Sequence, residues 1–298
     1  MSEPTALHTV LASASLATAL RQQANTSDVR FSFAEVSPVH KAFAPMVRQQ
    51  AYDLSELAVV TCLQAIAYER PVVMLPIVVA SRFQRGCLIT RRQHDVVSPQ
   101  ALAGKRIGVR SYTQTTGMWI RAHLLEDYGV TADSMRWLTR DPAHVEQYRD
   151  PSFVEHDTTG KSLVHLLRDG DIDAAIFGND LPDDDAFAPV FPDARGSDLQ
   201  WWQRHGFVPI NHMMVASRET CHRHPAAIRE AYRLMKTVVQ QTAAPAGQPR
   251  MTLAGFRQLG APLAWIIDAC VEQRLLPRKL SFEEVFGPAE KLLEGLID

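Results

Sequence analysis

Leu102-Ala-Gly-Lys-Arg-Ile-Gly-Val-Arg-Ser-Tyr-Thr-Gln-Thr-Thr-Gly-Met-Trp-Ile-Arg121 is the stretch whose reading decides the fold. Arg106 to Arg110 reads as a short strand, with Ile107 and Val109 either side of Gly108. The polar turn Ser111–Thr116 follows, and then an amphipathic helix to about Tyr128, stopped by Gly129. Ile120, Leu124 and Tyr128 fall on one stripe, which Met118, Ala122 and Leu125 widen. A strand, a turn rich in hydroxyls and amides, and a helix N-terminus together attract anions. Arg110, on the strand side, adds a guanidinium fork suited to a carboxylate. For an isolated turn, the plainer reading is that Thr113 or Thr115 caps the helix.

Working outward, the ninety residues before the second unit alternate strand and helix. Strands are expected at Leu7–Leu11, Val29–Val36, Tyr52–Val60, Pro71–Ala80 and Gly86–Thr90, with helices over 13–23, 38–50 and 61–68. This order predicts a mostly parallel sheet with covering helices. The polar run Arg91–Asp95 breaks it. Beyond the anchor stretch, strands are expected at Ser134–Thr139 and Ala174–Phe177 and helices at Ser162–Arg168 and Leu199–His205. Residues 140–159 read as a polar loop without pattern, and a loop rich in Asp and Pro spans Asp183 to Pro192. Pro209–Ala216 reads as a strand leading back, and helices follow, interrupted at Pro245–Pro249. The expectation is an α/β protein of two lobes. Residues 1–92 and 206–298 form the first, 93–205 form an inserted second, and a ligand cleft lies at the carboxyl ends of the strands.

Composition narrows the function. The chain has 298 residues, enough for two ordinary domains, and its 46% hydrophobic and 21% charged residues suit a globular core. A net charge of −2 provides no general basic field, so nucleic acid is not an expected partner. No apolar run reaches the length of a membrane span. The serine-broken segment Val10–Leu20 has Glu3 and no basic residue ahead of it, unlike a secretory signal, so a cytoplasmic location is expected. Cys62, Cys87, Cys221 and Cys270 are scattered, which argues against disulfides and zinc knuckles. Cys221-His222-Arg223-His224 lacks a nearby third ligand, so no metal is expected. Thr158–Ser162 mimics the end of a phosphate loop, but Glu155 stands where glycine is required.

Four features remain at strand ends around the expected cleft. Glu56 lies in an apolar strand, where burial would suit a proton donor but an ordinary paired, structural carboxylate is the commoner case. Ser81-Arg82-Phe83-Gln84-Arg85 offers two guanidiniums that could clamp carboxylates or cap a surface loop. The third is the turn from Arg110 to Trp119. The fourth is Asn211-His212, an imidazole on an apolar strand.

Several of these residues also carry a resemblance. Gly108-Val109-Arg110, Tyr112 and Gln114–Trp119, with Asp53-Leu-Ser-Glu-Leu57, Ser81-Arg82, Arg85, Asp171–Ala174, Pro209–His212 and Leu276–Phe286, resemble the 4,5-dihydroxyphthalate decarboxylase family. That resemblance implies a type 2 periplasmic-binding-protein fold and removal of one carboxylate from a dihydroxylated phthalate, without an organic cofactor. It implies His212 and Glu56 as the acid–base pair. Ligand contacts are then expected from Ser13, Ser15, Ser55, Thr61, Arg82, Arg85, Arg110, Tyr112, Gln114, Thr115, Thr116, Trp119, Asn179 and Asn211. The chain departs from the family at Ser13-Ala14-Ser15, where an Asp-Tyr pair is usual, and at Gly86, where a histidine is usual. The expected partner is a small aromatic carboxylate, self-association being left open. The alternative is a solute-binding protein or sensor on the same fold, which needs the arginines and hydroxyls but no proton donor.

Overall fold

The computed structural model describes residues 3–92, 98–242, 244 and 247–296. The expected breaks at Arg91–Asp95 and Pro245–Pro249 lie partly outside them. In chain order, the first lobe opens with β1 (Thr5–Val10), α1 (Ala14–Gln23), β2 (Val29–Phe33), α2 (Phe43–Gln49), β3 (Leu54–Ala58), α3 (Val59–Ala67) and β4 (Val72–Ser81). β4 is buried through Val79, as its unbroken apolar run requires, and β3 is buried along its whole length although Ser55 and Glu56 interrupt its apolar residues. Ser13 starts α1 as an N-cap, its Oγ accepting the Leu16 N–H.

The second lobe holds β5 (Leu88–Arg91), β6 (Arg106–Val109), α4 (Thr115–Tyr128), β7 (Arg136–Thr139), β8 (Val154–His156), α5 (Leu163–Asp169), β9 (Ala174–Ile176), β10 (Phe187–Pro189) and α6 (Ala194–His205). The chain then returns through β11 (Ile210–Ser217), α7 (Arg218–Arg223), α8 (Pro225–Gln241), β12 (Leu253–Ala254), α9 (Phe256–Glu272) and α10 (Phe282–Leu292).

Two six-stranded sheets result, ordered β12-β4-β11-β3-β1-β2 and β10-β5-β9-β6-β7-β8. The first is mixed, not mostly parallel. β1 runs parallel to β2 and β3, but β11 enters between β3 and β4 antiparallel to both. Sheet membership changes between Ser81 and Leu88, because β5 pairs with β9 and β10 in the second sheet, ahead of the expected boundary at 92. β8 and β10 arise in stretches read as loops. Each is a three-residue edge strand, too short for its pattern to show. Gly108 fits β6 because a Cβ there would stand 2.5 Å from Ile172 Cδ1 and 3.0 Å from Leu163 Cδ2.

The anchor helix α4 differs from its amphipathic reading. Every residue from Thr115 to Leu124 is buried, including Arg121 and His123. The helix is wedged between the lobes. Trp119 Nε1 donates to the carbonyl of Ile210 at 2.8 Å, and Gln273, just past α9, donates to the carbonyl of Met118 at 3.0 Å. Gln273 Oε1 accepts from Arg121 Nε at 2.7 Å. The main apolar core therefore runs through both lobes, taking in Leu57 and Met213 from one and Ile107, Trp119 and Trp137 from the other. A smaller cluster around Ile89, Leu166, Ile172 and Phe177 fills the second lobe. Among the described residues, no helix is long and apolar enough to cross a membrane.

Candidate functional site

The site begins where β3 and β11 run side by side. Glu56 lies in β3, only 2% exposed, and Met214 of β11 is its cross-strand partner. An ionised carboxylate there must be met by donors. Ala12 N–H supplies one at 2.5 Å, and the Nδ1 of His212 lies 2.8 Å from the other oxygen. His212 is held toward Glu56 by irregular pairing: the register between β11 and β4 shifts on both sides of it. Its side chain is 22% exposed and its ring meets Phe43 edge-on at 5.3 Å. The carboxylate is thus the buried partner and the imidazole the accessible one.

The β4–β5 turn and the start of α4 add polar groups from both lobes. Arg82 donates from Nη1 to Asn179 Oδ1 at 2.7 Å and from Nη2 to Thr116 Oγ1 at 2.9 Å, while its Nε is buried without a partner. Thr115 Oγ1 and the side-chain oxygens of Gln114 and Gln84 are also buried and unpartnered. Gln84 donates its amide to Asn211, the neighbour of His212. Gln114, the N-cap residue, makes no side-chain capping bond. The first N–H groups of α4 have no acceptor within the helix. This end of the cleft suits an anion.

A further group comes from segments the sequence left without a role. His144, in the unpatterned loop, places Nδ1 2.9 Å from Thr61 Oγ1 and its ring edge-on to Phe43 at 5.4 Å. Burial, reinforced by the positive charges of Arg110, His40 and Arg48, lowers its pKa to about 3. Burial and Arg110 likewise lower the pKa of His40, though Asp141 and Asp180 oppose them. Arg110 is loosely paired, its Nε 3.7 Å from Asp141, and burial depresses its own pKa. Cations and two histidines that favour neutrality make this wall receptive to negative charge. Only the proximity of Phe43, His40 and His144 in space could have found them, since none belongs to a sequence motif.

Hydrogen bonds, ring contacts and charge interactions, several of them passing through Phe43, His144 and Gln84, thus connect Glu56, His212, Asn211, Thr61 and Arg110 on one side and Arg82, Asn179 and Thr116 on the other, with Gln114 and Thr115 beside Thr116 at the start of α4. The other six expected contacts are engaged elsewhere. Arg85 is fully buried, donating to Asp127 at 2.5 Å and Asp198 at 2.7 Å, so both carboxylates it holds are the protein's own. Tyr112 is buried, its hydroxyl donating to the carbonyl of Gln273 at 3.0 Å, and Trp119 stacks on Trp265 in the core. Ser55 is buried in β3, its hydroxyl bonded to the Glu56 carbonyl. Ser13 is used as the α1 cap, and its Oγ lies 3.1 Å from that of exposed Ser15. Among the described residues, no group of three His, Cys, Asp or Glu side chains could hold a metal ion.

Comparison with known proteins bears on this geometry. A family model described as ABC transporter, phosphonate, periplasmic substrate-binding protein matches residues 8–258. A 4,5-dihydroxyphthalate decarboxylase from Comamonas testosteroni is 27% identical over 221 residues, covering 69% of this chain and 67% of the relative. A protein of the same name from Pseudomonas putida is 28% identical over 137 residues, covering 43% of this chain and 53% of the relative. The matches thus span about two thirds and about half of these relatives' lengths. Among solved structures, the periplasmic aliphatic sulphonate binding protein SsuA from Escherichia coli matches with a TM-score of 0.58 at 11% identity, covering 96% of this chain and 92% of that one. The desulfurization enzyme DSZB matches with a TM-score of 0.50 at 13% identity, covering 97% of each chain. At such identities the structural likeness is one of fold, the two-lobed periplasmic-binding-protein type.

Proposed function

The chain belongs to the phosphonate ABC-transporter periplasmic substrate-binding protein family, and from that premise we propose that its cleft has become the site of a decarboxylase. The substrate would be a hydroxylated aromatic dicarboxylate of the 4,5-dihydroxyphthalate type. One observation carries the reading: a buried carboxylate, Glu56, backs a partly exposed imidazole, His212, in the same cleft as Arg82 and the open start of α4. A site that only binds an anion needs the arginine and the helix N-terminus but not an acid–base pair.

In this mechanism Arg82 and the α4 N-terminus hold the carboxylates. His212, protonated and paired with Glu56, gives its proton to the ring carbon bearing the leaving carboxylate. The ring loses aromaticity, and the hydroxyl para to that carbon stabilises the positive charge. The carbon–carboxylate bond then breaks, its electron pair restoring the ring as carbon dioxide departs. His212 is reprotonated from solvent. Glu56 accepts the imidazole N–H and stabilises the charged ring.

The test is incubation with 4,5-dihydroxyphthalate, following carbon dioxide and 3,4-dihydroxybenzoate. His212→Ala and Glu56→Gln should depress turnover about 100- to 10,000-fold while changing ligand affinity far less. The family match favours a second reading, a solute-binding protein. Wild-type protein that binds an aromatic dicarboxylate but releases no carbon dioxide over hours would establish that reading and refute the first.

A further inference from the structure

The polar groups of the cleft form a closed circuit with two distinct sides. On one arc Arg82 bonds Asn179, whose neighbour Asp180 acts electrostatically on Arg110 and His40, and these in turn act on His144. On the other arc Gln84, two residues from Arg82, bonds Asn211 beside His212, and Phe43 joins His212 to His144. Both arcs lead from the start of α4, which suits an anion, to His144. The proposed substrate has the same polarity. Its carboxylates occupy adjacent ring positions, and its hydroxyls lie at the opposite end of the ring.

We propose that His144 is the specificity-determining residue for the ring hydroxyls, its imidazole anchored through Nδ1 by Thr61 and hydrogen-bonding a hydroxyl through Nε2. This inference rests on the functional reading above. Thr61 fixes one nitrogen and Phe43 limits the ring's tilt, which leaves the second nitrogen as the ring's remaining hydrogen-bonding atom. Two further bonds hold the loop in place, since Arg48 donates to the carbonyls of His144 at 2.8 Å and Ala143 at 3.1 Å. The imidazole is not suited to take up the hydroxyl proton. With its pKa lowered to about 3 it stays neutral at neutral pH, a hydrogen-bonding group and not a base. Arg110 alongside provides the charge that would favour a hydroxyl with partial phenolate character. An imidazole nitrogen placed to bond a ring hydroxyl discriminates against ligands that lack one and leave it unpaired.

The test uses a ligand pair that the proposed reaction does not consume, 3,4-dihydroxybenzoate and benzoate, with dissociation constants measured by calorimetry. Wild-type protein should prefer the dihydroxylated ligand. His144→Phe should reduce that preference about 5- to 100-fold, the range for losing one buried hydrogen bond, while moving benzoate affinity no more than about threefold. Thr61→Val, which keeps the ring but removes its anchor, should also lower the preference, and His144→Gln should restore part of it. If His144→Phe does not fold, the Thr61→Val and His144→Gln comparison decides. Equal weakening of both ligands, or an unchanged preference in the folded variants, overturns the role of His144. Wild-type protein that binds neither ligand overturns this inference, and the functional reading falls with it only if 4,5-dihydroxyphthalate also yields no carbon dioxide, an outcome separate from the first.

Discussion

Arg85→Ala should unfold the protein more easily without weakening its ligand. Arg85 and Asp198 have side chains only 1% and 5% exposed, and Asp127 is 19% exposed. Removing the guanidinium leaves two carboxylates together, one almost wholly out of water. Breaking a buried pair by deleting one partner costs about 3–5 kcal/mol, most of it the penalty on the stranded charge. At roughly 2–4 °C per kcal/mol for chains somewhat shorter than this one, the melting temperature should fall by about 6–20 °C. The pH dependence follows from Asp198. Burial already raises its pKa, against the lowering effect of Arg85, and loss of Arg85 raises it further. A carboxyl that holds its proton more tightly folded than unfolded costs stability as pH rises between the two pKa values and returns it as pH falls. The deficit should therefore shrink in mild acid, and Arg85→Ala combined with Asp198→Asn should be more stable than Arg85→Ala alone. Thermal unfolding by circular dichroism across pH measures this. An unchanged melting temperature together with a tenfold or larger loss of ligand affinity would refute the assignment and return Arg85 to the cleft.

Arg82→Ala should do the opposite, weakening an aromatic dicarboxylate by about 1.5–3 kcal/mol, or roughly 10- to 150-fold, while shifting the melting temperature little; calorimetry on the variant would show a wild-type dissociation constant if Arg82 does not contact ligand. Gly108→Ala should destabilise by about 1–3 kcal/mol, because its Cβ would press on the ends of Ile172 and Leu163; a denaturant midpoint equal to wild type would mean that these side chains simply move aside.

The contrast between Arg82 and Arg85 marks how far the sequence could be read. Both sit at the end of an apolar strand, so composition makes them equivalent. A single turn of 3-10 helix over Arg85–Cys87 directs Arg85 inward, and its partners Asp127 and Asp198 lie 42 and 113 residues away. Local pattern carries no trace of such partners. Glu56 and His212 were legible for the converse reason, since a charge or an imidazole in an otherwise apolar strand stands out against its neighbours. Their bond to each other, across 156 residues, was not. His144 was hidden because loop residues have no period to violate. The anchor stretch gave the strand, turn and helix correctly, but Tyr112 and Trp119 face a core built by both lobes. An amphipathic stripe describes a helix with one wet face, and α4 has none until its last turn.

The position of β11 has a consequence for the order in which the molecule can assemble. β3 and β4 are made early, yet the strand that separates them arrives only at residues 210–217. Until then a growing chain has apolar strands whose inner edges have no partner, the kind of edge that recruits other chains. The central pairings of the first sheet thus span well over a hundred residues, and closing such loops before any contact repays them makes folding slow. His212 arrives on that same strand. The acid–base pair with Glu56 therefore forms only when the gap is filled, and chains that fail to insert β11 lack the proposed active site as well as a closed sheet.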